Sequence, residues 1–416
     1  MSKSVDRTPL TLPILAVLFG VAIGPDGLAI SGLADSGETV GLLAEFTLAL
    51  VLFYDAARID LRLLRKNLGV PERLLGPGLI LTVLLGFALG VPLLGKDFLG
   101  GSEGLGLWEI ALVAALLAPT DAALGQAVVT QKTVPLRVRQ ALNVESGLND
   151  GLIVPVVAVL MACSIGASAA VDSGPWTWVR HAAEAAGYGV GVGVLIGLIA
   201  ARALDIASQR DWMHHGAKHI AVAAVPVLAF FVAEELHGSG FLAAFVAGLA
   251  LGSTTRRPDR EFFTFTENTG ELLGLLTWII FGVAAAPAAL SCATPAVIGY
   301  ALLSLTVIRM LPVAIALRGT KFNASTVLFL GWFGPRGLAT VVFALAVLEE
   351  SEIAGAERIF GVAVWTVLLS VLLHGMTAGA LARRYGALCN SRAQEDGGLT
   401  AAEALTVPEH PAPQRR

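Results

Sequence analysis

The sequence predicts an all-α polytopic membrane protein of twelve transmembrane helices, thirteen if a Gly/Pro break divides one of them, and three observations carry that prediction. Hydrophobic residues make up 55% of the 416 positions and charged residues only 14%, a balance outside that of water-soluble domains. Apolar runs of about 20 residues, enough to cross roughly 30 Å of hydrocarbon, recur from Pro9 to Ala382. Lys and Arg collect in alternate breaks between those runs.

In order, the spans are 9–30, 39–57, 73–95, 105–126, 138–163, 181–201, 219–236, 240–253, 263–285, 295–317, 323–348 and 359–382. The leading MSKSVDRTPL runs into the first of them without a small-residue cleavage site, so a retained helix is expected, not a signal peptide. The eighth is short for a span, and Pro25, Pro119 and Pro335 mark the places where a helix could divide. With the N-terminus in the cytoplasm, the basic stretches DAARIDLRLLRKN, QKTVPLRVR, ARALDIASQRDWMHHGAK, TTRRPDRE and RGTK all face inward. The opposite loops hold only Lys96, Arg180 and Arg358 and gather acidic residues such as Asp35, Glu103, Asp172 and Glu350. Lys and Arg resist translocation, so both termini are expected in the cytoplasm of a cell-membrane protein whose first partner is the lipid bilayer.

After Tyr385 the composition turns polar and rich in Pro, Gly and acid. Residues 1–385 therefore read as one transmembrane domain and 386–416 as a disordered cytoplasmic tail. Cys163, Cys292 and Cys389 form no ligand spacing, so no cofactor or resident metal is implied. A net charge of −4 offers no basic surface to nucleic acid.

Charge inside the spans is the strongest functional signal. Span 4 carries Asp121 after Pro119 and Thr120; span 5 carries Glu145, Ser146, Asn149 and Asp150; spans 10 and 11 carry Arg309 and Arg336. A charge at the bilayer centre costs roughly 2.5 to 3.5 kcal/mol on insertion scales, so such groups face protein or a water cavity. Helical spacing stacks Glu145 under Asn149 and Ser146 under Asp150 on adjoining columns. Two carboxylates, an amide and a hydroxyl then meet span 4, an oxygen-rich set that suits a hard monovalent cation. Depth along the antiparallel spans matches Glu145 with Arg309 as an ion pair, with Asn149 able to hydrogen-bond it, and sets Arg336 deeper, near Asp150.

Span 4 (A-P-T-D) and span 11 (G-P-R-G) each carry a proline interruption. Proline frees backbone groups in mid-membrane, and freed carbonyls can bind cations. Interrupted segments in corresponding positions of two halves point to inverted repeats crossing at a transport site, here spans 3–5 and 10–12.

At these residues the sequence resembles the cation/proton antiporter 1 family, prokaryotic sodium/proton antiporters related to the animal exchangers. The resemblance rests on LFYDAARIDLRLLR, APTDAAL, NVESGLNDG, GSGFLAAFVAGLALG, GPRGLATVVFAL and LLHGMTAGALARRYG, which together cover almost the whole membrane domain. It implies a homodimer whose protomer has a moving core of spans 3–5 and 10–12, the other helices forming the interface and links. It also implies exchange of Na⁺ or Li⁺, or K⁺, for protons. Carried over by position, the ion ligands are Asp121, Ser146, Asp150 and the backbone of Thr120, with Asn149 beside Asp150 and with Glu145 and Arg309 as the core ion pair. An amide at Asn149, where electrogenic relatives carry a second aspartate, implies one proton per cation and no net charge movement.

Two other classes fit less well. An intramembrane aspartyl protease, the one enzyme considered, would also pair carboxylates on neighbouring helices, but Gly-x-Gly-Asp is absent and the buried arginines go unused. A channel would favour a continuous polar pore instead of one midplane cluster. His237 and His374 fall at span ends, and His214, His215 and His219 in a cytoplasmic segment, where surface or capping roles are expected. Asp55, Arg58 and Asp60 after span 2 are expected to form a surface salt-bridge network.

Overall fold

In hydrocarbon every backbone N–H and C=O must be paired within its own segment, so long apolar runs become helices. The computed structural model describes residues 12–396 except 26, 30–36, 59–68, 97, 98, 100, 102, 103, 122, 123, 125–127, 129, 130, 132, 169–174, 211, 255–259 and 350. Among the described residues there is no β-strand, and seven helices are long and apolar enough to cross a membrane by length and composition.

The helices follow the expected spans. They are α1 (Leu12–Ile23), α2 (Gly37–Ala57), α3 (Pro71–Leu94), α4 (Leu107–Leu116), α5 (Leu136–Ser168), α6 (Pro175–Gln209), α7 (His215–Glu235) and α8 (Gly240–Thr254). Then come α9 (Arg260–Ser291), α10 (Pro295–Leu305), α11 (Val307–Ala316), α12 (Ala324–Trp332), α13 (Leu338–Glu349) and α14 (Ala356–Asp396). The short eighth span is the 15-residue α8. In span 4 the helix α4 ends at Leu116 and residues 117–121 are not helical, and span 11 divides into α12 and α13 around residues 333–337.

Two features differ from the sequence reading. Span 10, expected as one helix, stops at Leu305 and restarts at Val307, with Thr306 at φ −113° and ψ −91°. The last helix runs past the expected boundary at Tyr385, through Gly386, to Asp396: Ala387, Leu388, Arg392, Ala393, Gln394 and Glu395 favour helix, and the pair Gly397 and Gly398 follows its end. The rest of the tail, 397–416, lies outside the described residues.

Helices α1, α2 and α6–α9 pack chiefly on one another, α3, α4 and α10–α14 do the same, and α5 packs on both groups. Small residues set the first group's seams. A Cβ on Gly248 or Gly252 of α8 would run into the backbone of Phe53 or Ala57 on α2, and Gly193 and Gly197 of α6 lie as closely on α8. Such contacts supply packing where lipid tails compete equally for apolar side chains. Leu15, Leu18, Ile80, Leu84, Leu195 and Leu328 are exposed in the isolated chain and suit a lipid-facing surface.

In the second group, Glu109 at the start of α4 accepts from Gly106 N at 2.7 Å and from Gly355 N at 2.8 Å, tying α4 to the turn before α14. Tyr300 of α10 donates to Gly86 O on α3 at 3.0 Å. These ties hold the ends of the two interrupted spans so that their breaks meet.

Candidate functional site

The long α5 carries four of the expected residues on its inward face, and Glu145, Ser146, Asn149 and Asp150 are all buried. Opposite them, the chain after Leu116 leaves the helix, and Thr120 turns its hydroxyl toward α5. It accepts from Asn149 Nδ2 at 2.7 Å and lies 3.1 Å from Ser146 Oγ. Asn149 is thus committed to Thr120 and not, as its depth suggested, to the ion pair. Asp150 is 9% exposed, and its Oδ1 has no hydrogen-bond partner among the described residues.

Glu145 Oε1 lies 2.5 Å from Arg309 Nη1, and both side chains are buried. Gly334 of the second break packs on this pair, and a Cβ there would meet Arg309 Nε and Thr120 Cγ2. Only a residue without a side chain lets the two breaks approach across the ion pair.

The breaks cross with their backbones exchanging bonds. Asp121 N donates to Pro335 O at 2.8 Å, and Asp121 Oδ2 accepts from Leu338 N at 2.9 Å. The Asp121 carboxylate therefore caps the start of α13, where the helix dipole favours negative charge. A Cβ at Gly337 would collide with that carboxylate.

Arg336, expected near the level of Asp150, turns its side chain to the first break. It is fully buried and donates from Nη1 to Ala118 O at 2.5 Å and to Pro119 O at 2.9 Å. Its Nη2 lies 3.5 Å from Ser304 O, a carbonyl beside the Thr306 interruption. The carbonyls of Ala118 and Pro119, freed by the break, are thus occupied by a guanidinium.

Other expectations changed as well. His374, expected at a span end, is buried in mid-α14, with Nε2 2.9 Å from Trp332 O and Nδ1 3.3 Å from Ser370 Oγ. An imidazole and a hydroxyl four residues apart in an apolar run were the available signal. The expected surface network also divides. Arg58 pairs with Glu267 at 3.6 Å and lies over the Tyr54 ring, whereas Asp55 faces Gly147 of α5. Asp60 lies outside the described residues.

Residues 2–384 match the family model described as "Sodium/hydrogen exchanger, transmembrane". The chain belongs to this transmembrane exchanger family. Among family-like proteins, it is 24% identical over 382 residues to the K(+)/H(+) antiporter NhaP2 of Shewanella oneidensis, covering 90% of this chain and 63% of that relative. It is 26% identical over 290 residues to the Na(+)/H(+) antiporter NhaP of Pseudomonas aeruginosa, covering 66% of this chain and 65% of the relative. The chain thus spans less than two thirds of either relative's length. Its fold matches the sodium proton antiporter MjNhaP1 of Methanocaldococcus jannaschii at pH 8 with a TM-score of 0.73, at 24% identity over 90% of this chain and 92% of that one. This family member is a multi-helix membrane protein with crossed broken helices, and the side-chain oxygens of Thr120, Asp121 and Ser146 lie where those breaks meet.

Proposed function

We propose that the chain is a secondary active antiporter that exchanges a monovalent cation, Na⁺, Li⁺ or K⁺, for protons by alternating access. The observation that carries this reading is Asp150: a buried carboxylate with an unpartnered oxygen, one helical turn from the Ser146 hydroxyl at the breaks. A lone carboxylate charge buried at bilayer depth is costly unless neutralised, and either a proton or a dehydrated cation can neutralise it. The two ligands compete for one group. Cation release to one side then accompanies protonation, and only a neutralised site crosses the barrier, which couples the two fluxes.

Thr120, Ser146 and Asp121 complete the proposed cation site with Asp150, while Asn149 holds the Thr120 hydroxyl in place. Glu145 and Arg309 form the fixed ion pair behind it. The proposed moving core is α3–α5 with α10–α14, and the remaining helices form the interface of a homodimer in the cell membrane, both termini cytoplasmic. Names of two relatives print K⁺ and Na⁺ respectively, which supports a monovalent cation as substrate.

The test is proton movement in everted vesicles on addition of Na⁺, Li⁺, K⁺ or Ca²⁺. A response to one or more monovalent cations, lost in Asp150→Asn with normal expression and membrane insertion, is the expected result. Persistent exchange in that variant refutes the site. Because Asn149 cannot titrate and sits on Thr120, one proton should move per cation. In liposomes at fixed pH and cation gradients, inverting a valinomycin-set potential should leave the reversal condition unchanged. A shift with voltage would mean that a second carboxylate carries a proton.

A further inference from the structure

The break in span 11 separates the partners of one would-be helical hydrogen bond: Arg336 N–H and Trp332 C=O stand in the i to i−4 relation. Neither group is left open, and Trp332 O also accepts from Gly334 N at 2.8 Å. Arg336 N donates to Ser370 Oγ at 2.7 Å, Ser370 Oγ is 3.3 Å from His374 Nδ1, and His374 Nε2 is 2.9 Å from Trp332 O. A side-chain relay from α14 is thus inserted where a single backbone bond would otherwise close the helix.

His374 meets acceptors at both ring nitrogens: Nε2 lies on Trp332 O, and Nδ1 lies 3.1 Å from the Ser370 carbonyl as well as 3.3 Å from its hydroxyl. The Ser370 hydroxyl accepts from Arg336 N–H and can donate to Nδ1 when Nε2 carries the ring proton. Thr377, one further turn along α14, accepts from the Trp332 indole at 3.1 Å, so positions 370, 374 and 377 grip the break from one helix face.

We propose that Ser370 and His374 are positioning residues of the transport site, a proposal that rests on the antiport reading above. They keep the break open and thereby aim the Arg336 guanidinium at Ala118 O and Pro119 O and the Leu338 N–H at Asp121. Without the relay, Arg336 N–H can turn back toward Trp332 O, drawing the guanidinium off the first break. Thr120 and Asp121, which follow those carbonyls directly, then lose their register against α5.

The experiment compares Ser370→Ala, His374→Leu and His374→Gln in full-length protein. Glutamine offers one acceptor and one donor with nearly the spacing of the two ring nitrogens, so it can restore the relay. Losing one buried hydrogen bond should raise the apparent KM for the cation about tenfold in the alanine and leucine variants. The glutamine variant should stay within about threefold of the parent. A purely structural role would lower yield and thermal stability but leave KM of the surviving protein unchanged, and that result overturns the proposal, as does a glutamine variant no better than leucine. Amide exchange measured by mass spectrometry over residues 331–340 separates this from the antiport reading. If the parent chain moves no protons against any cation, that reading fails, and the relay stands or falls on faster exchange in His374→Leu than in His374→Gln.

Discussion

The breaks that begin at Leu117 and at Phe333 each contain a proline, yet they dispose of their open backbone in opposite ways. The first presents acceptors: the Ala118 and Pro119 carbonyls go to Arg336, and the Thr120 hydroxyl takes Asn149. The second presents chiefly donors: Arg336 gives its guanidinium to the first break and its amide to Ser370, and Leu338 N–H goes to Asp121, while one bond runs the other way, from Asp121 N to Pro335 O. One break is the internal counter-ion of the other. A guanidinium fills the Ala118 and Pro119 carbonyls, so the proposed cation site draws on Thr120, Ser146, Asp121 and Asp150.

The second break packs on the Glu145–Arg309 pair at Gly334, and disturbing that pair should have the largest effect. Glu145→Gln or Arg309→Met leaves one buried charge unpaired against Gly334 and should cost about 3–5 kcal/mol. The double variant should recover part of that loss in detergent thermal melts. If the two losses simply add, the pair does not act as a unit and the second break does not depend on it.

Arg336→Lys sharpens the contrast. A lysine is a compact charge without a planar fork, and it cannot hold Ala118 O and Pro119 O with one nitrogen while a second reaches Ser304 O, as the guanidinium does. The expected loss is about 1.5–3 kcal/mol, the worth of one hydrogen bond to a charged group. Cation exchange should fall with it, as the first break loosens. Wild-type melting in this variant would mean that net positive charge, not fork geometry, fills the carbonyls.

The smallest effect should come from the ion pair outside the crossing. Arg58 and Glu267 are 3.6 Å apart with side chains 53% and 39% exposed. Arg58→Met should change stability by less than about 1 kcal/mol. A loss comparable to that of Arg309→Met would erase the distinction between scaffold and site.

Much of this architecture was legible in the sequence because lipid enforces it. Apolar length set the spans, and the burial of Glu145, Ser146, Asn149 and Asp150 on one face followed from helical spacing alone. The crossing of spans 4 and 11 was announced by proline beside charge. The partners at the crossing were not, because a depth estimate along two antiparallel helices cannot say which way a long side chain turns. That is why Arg336 was expected near Asp150 and is found on Ala118 and Pro119, and why Asn149 is found on Thr120 instead of the ion pair. The interruption at Thr306 has no proline or glycine at the break itself, so no local rule marked it. His374 was read as punctuation at a helix end because its partner, the Trp332 carbonyl, is 42 residues away in sequence.

The long-range partnership between the breaks also dictates an order of assembly. Pro119 and Arg336 are separated by 217 residues, which at translation rates of about 5–20 residues per second means a wait of about 10–45 s. During synthesis the first break is therefore threaded into the membrane with its carbonyls lacking their final donor. When Arg336 does arrive, its own amide still lacks Ser370, which belongs to the last helix. A nascent chain that ends before Ser370 cannot complete the relay that holds the second break open. The core of this protein is thus finished backwards, its earliest polar defect sealed by its latest segments.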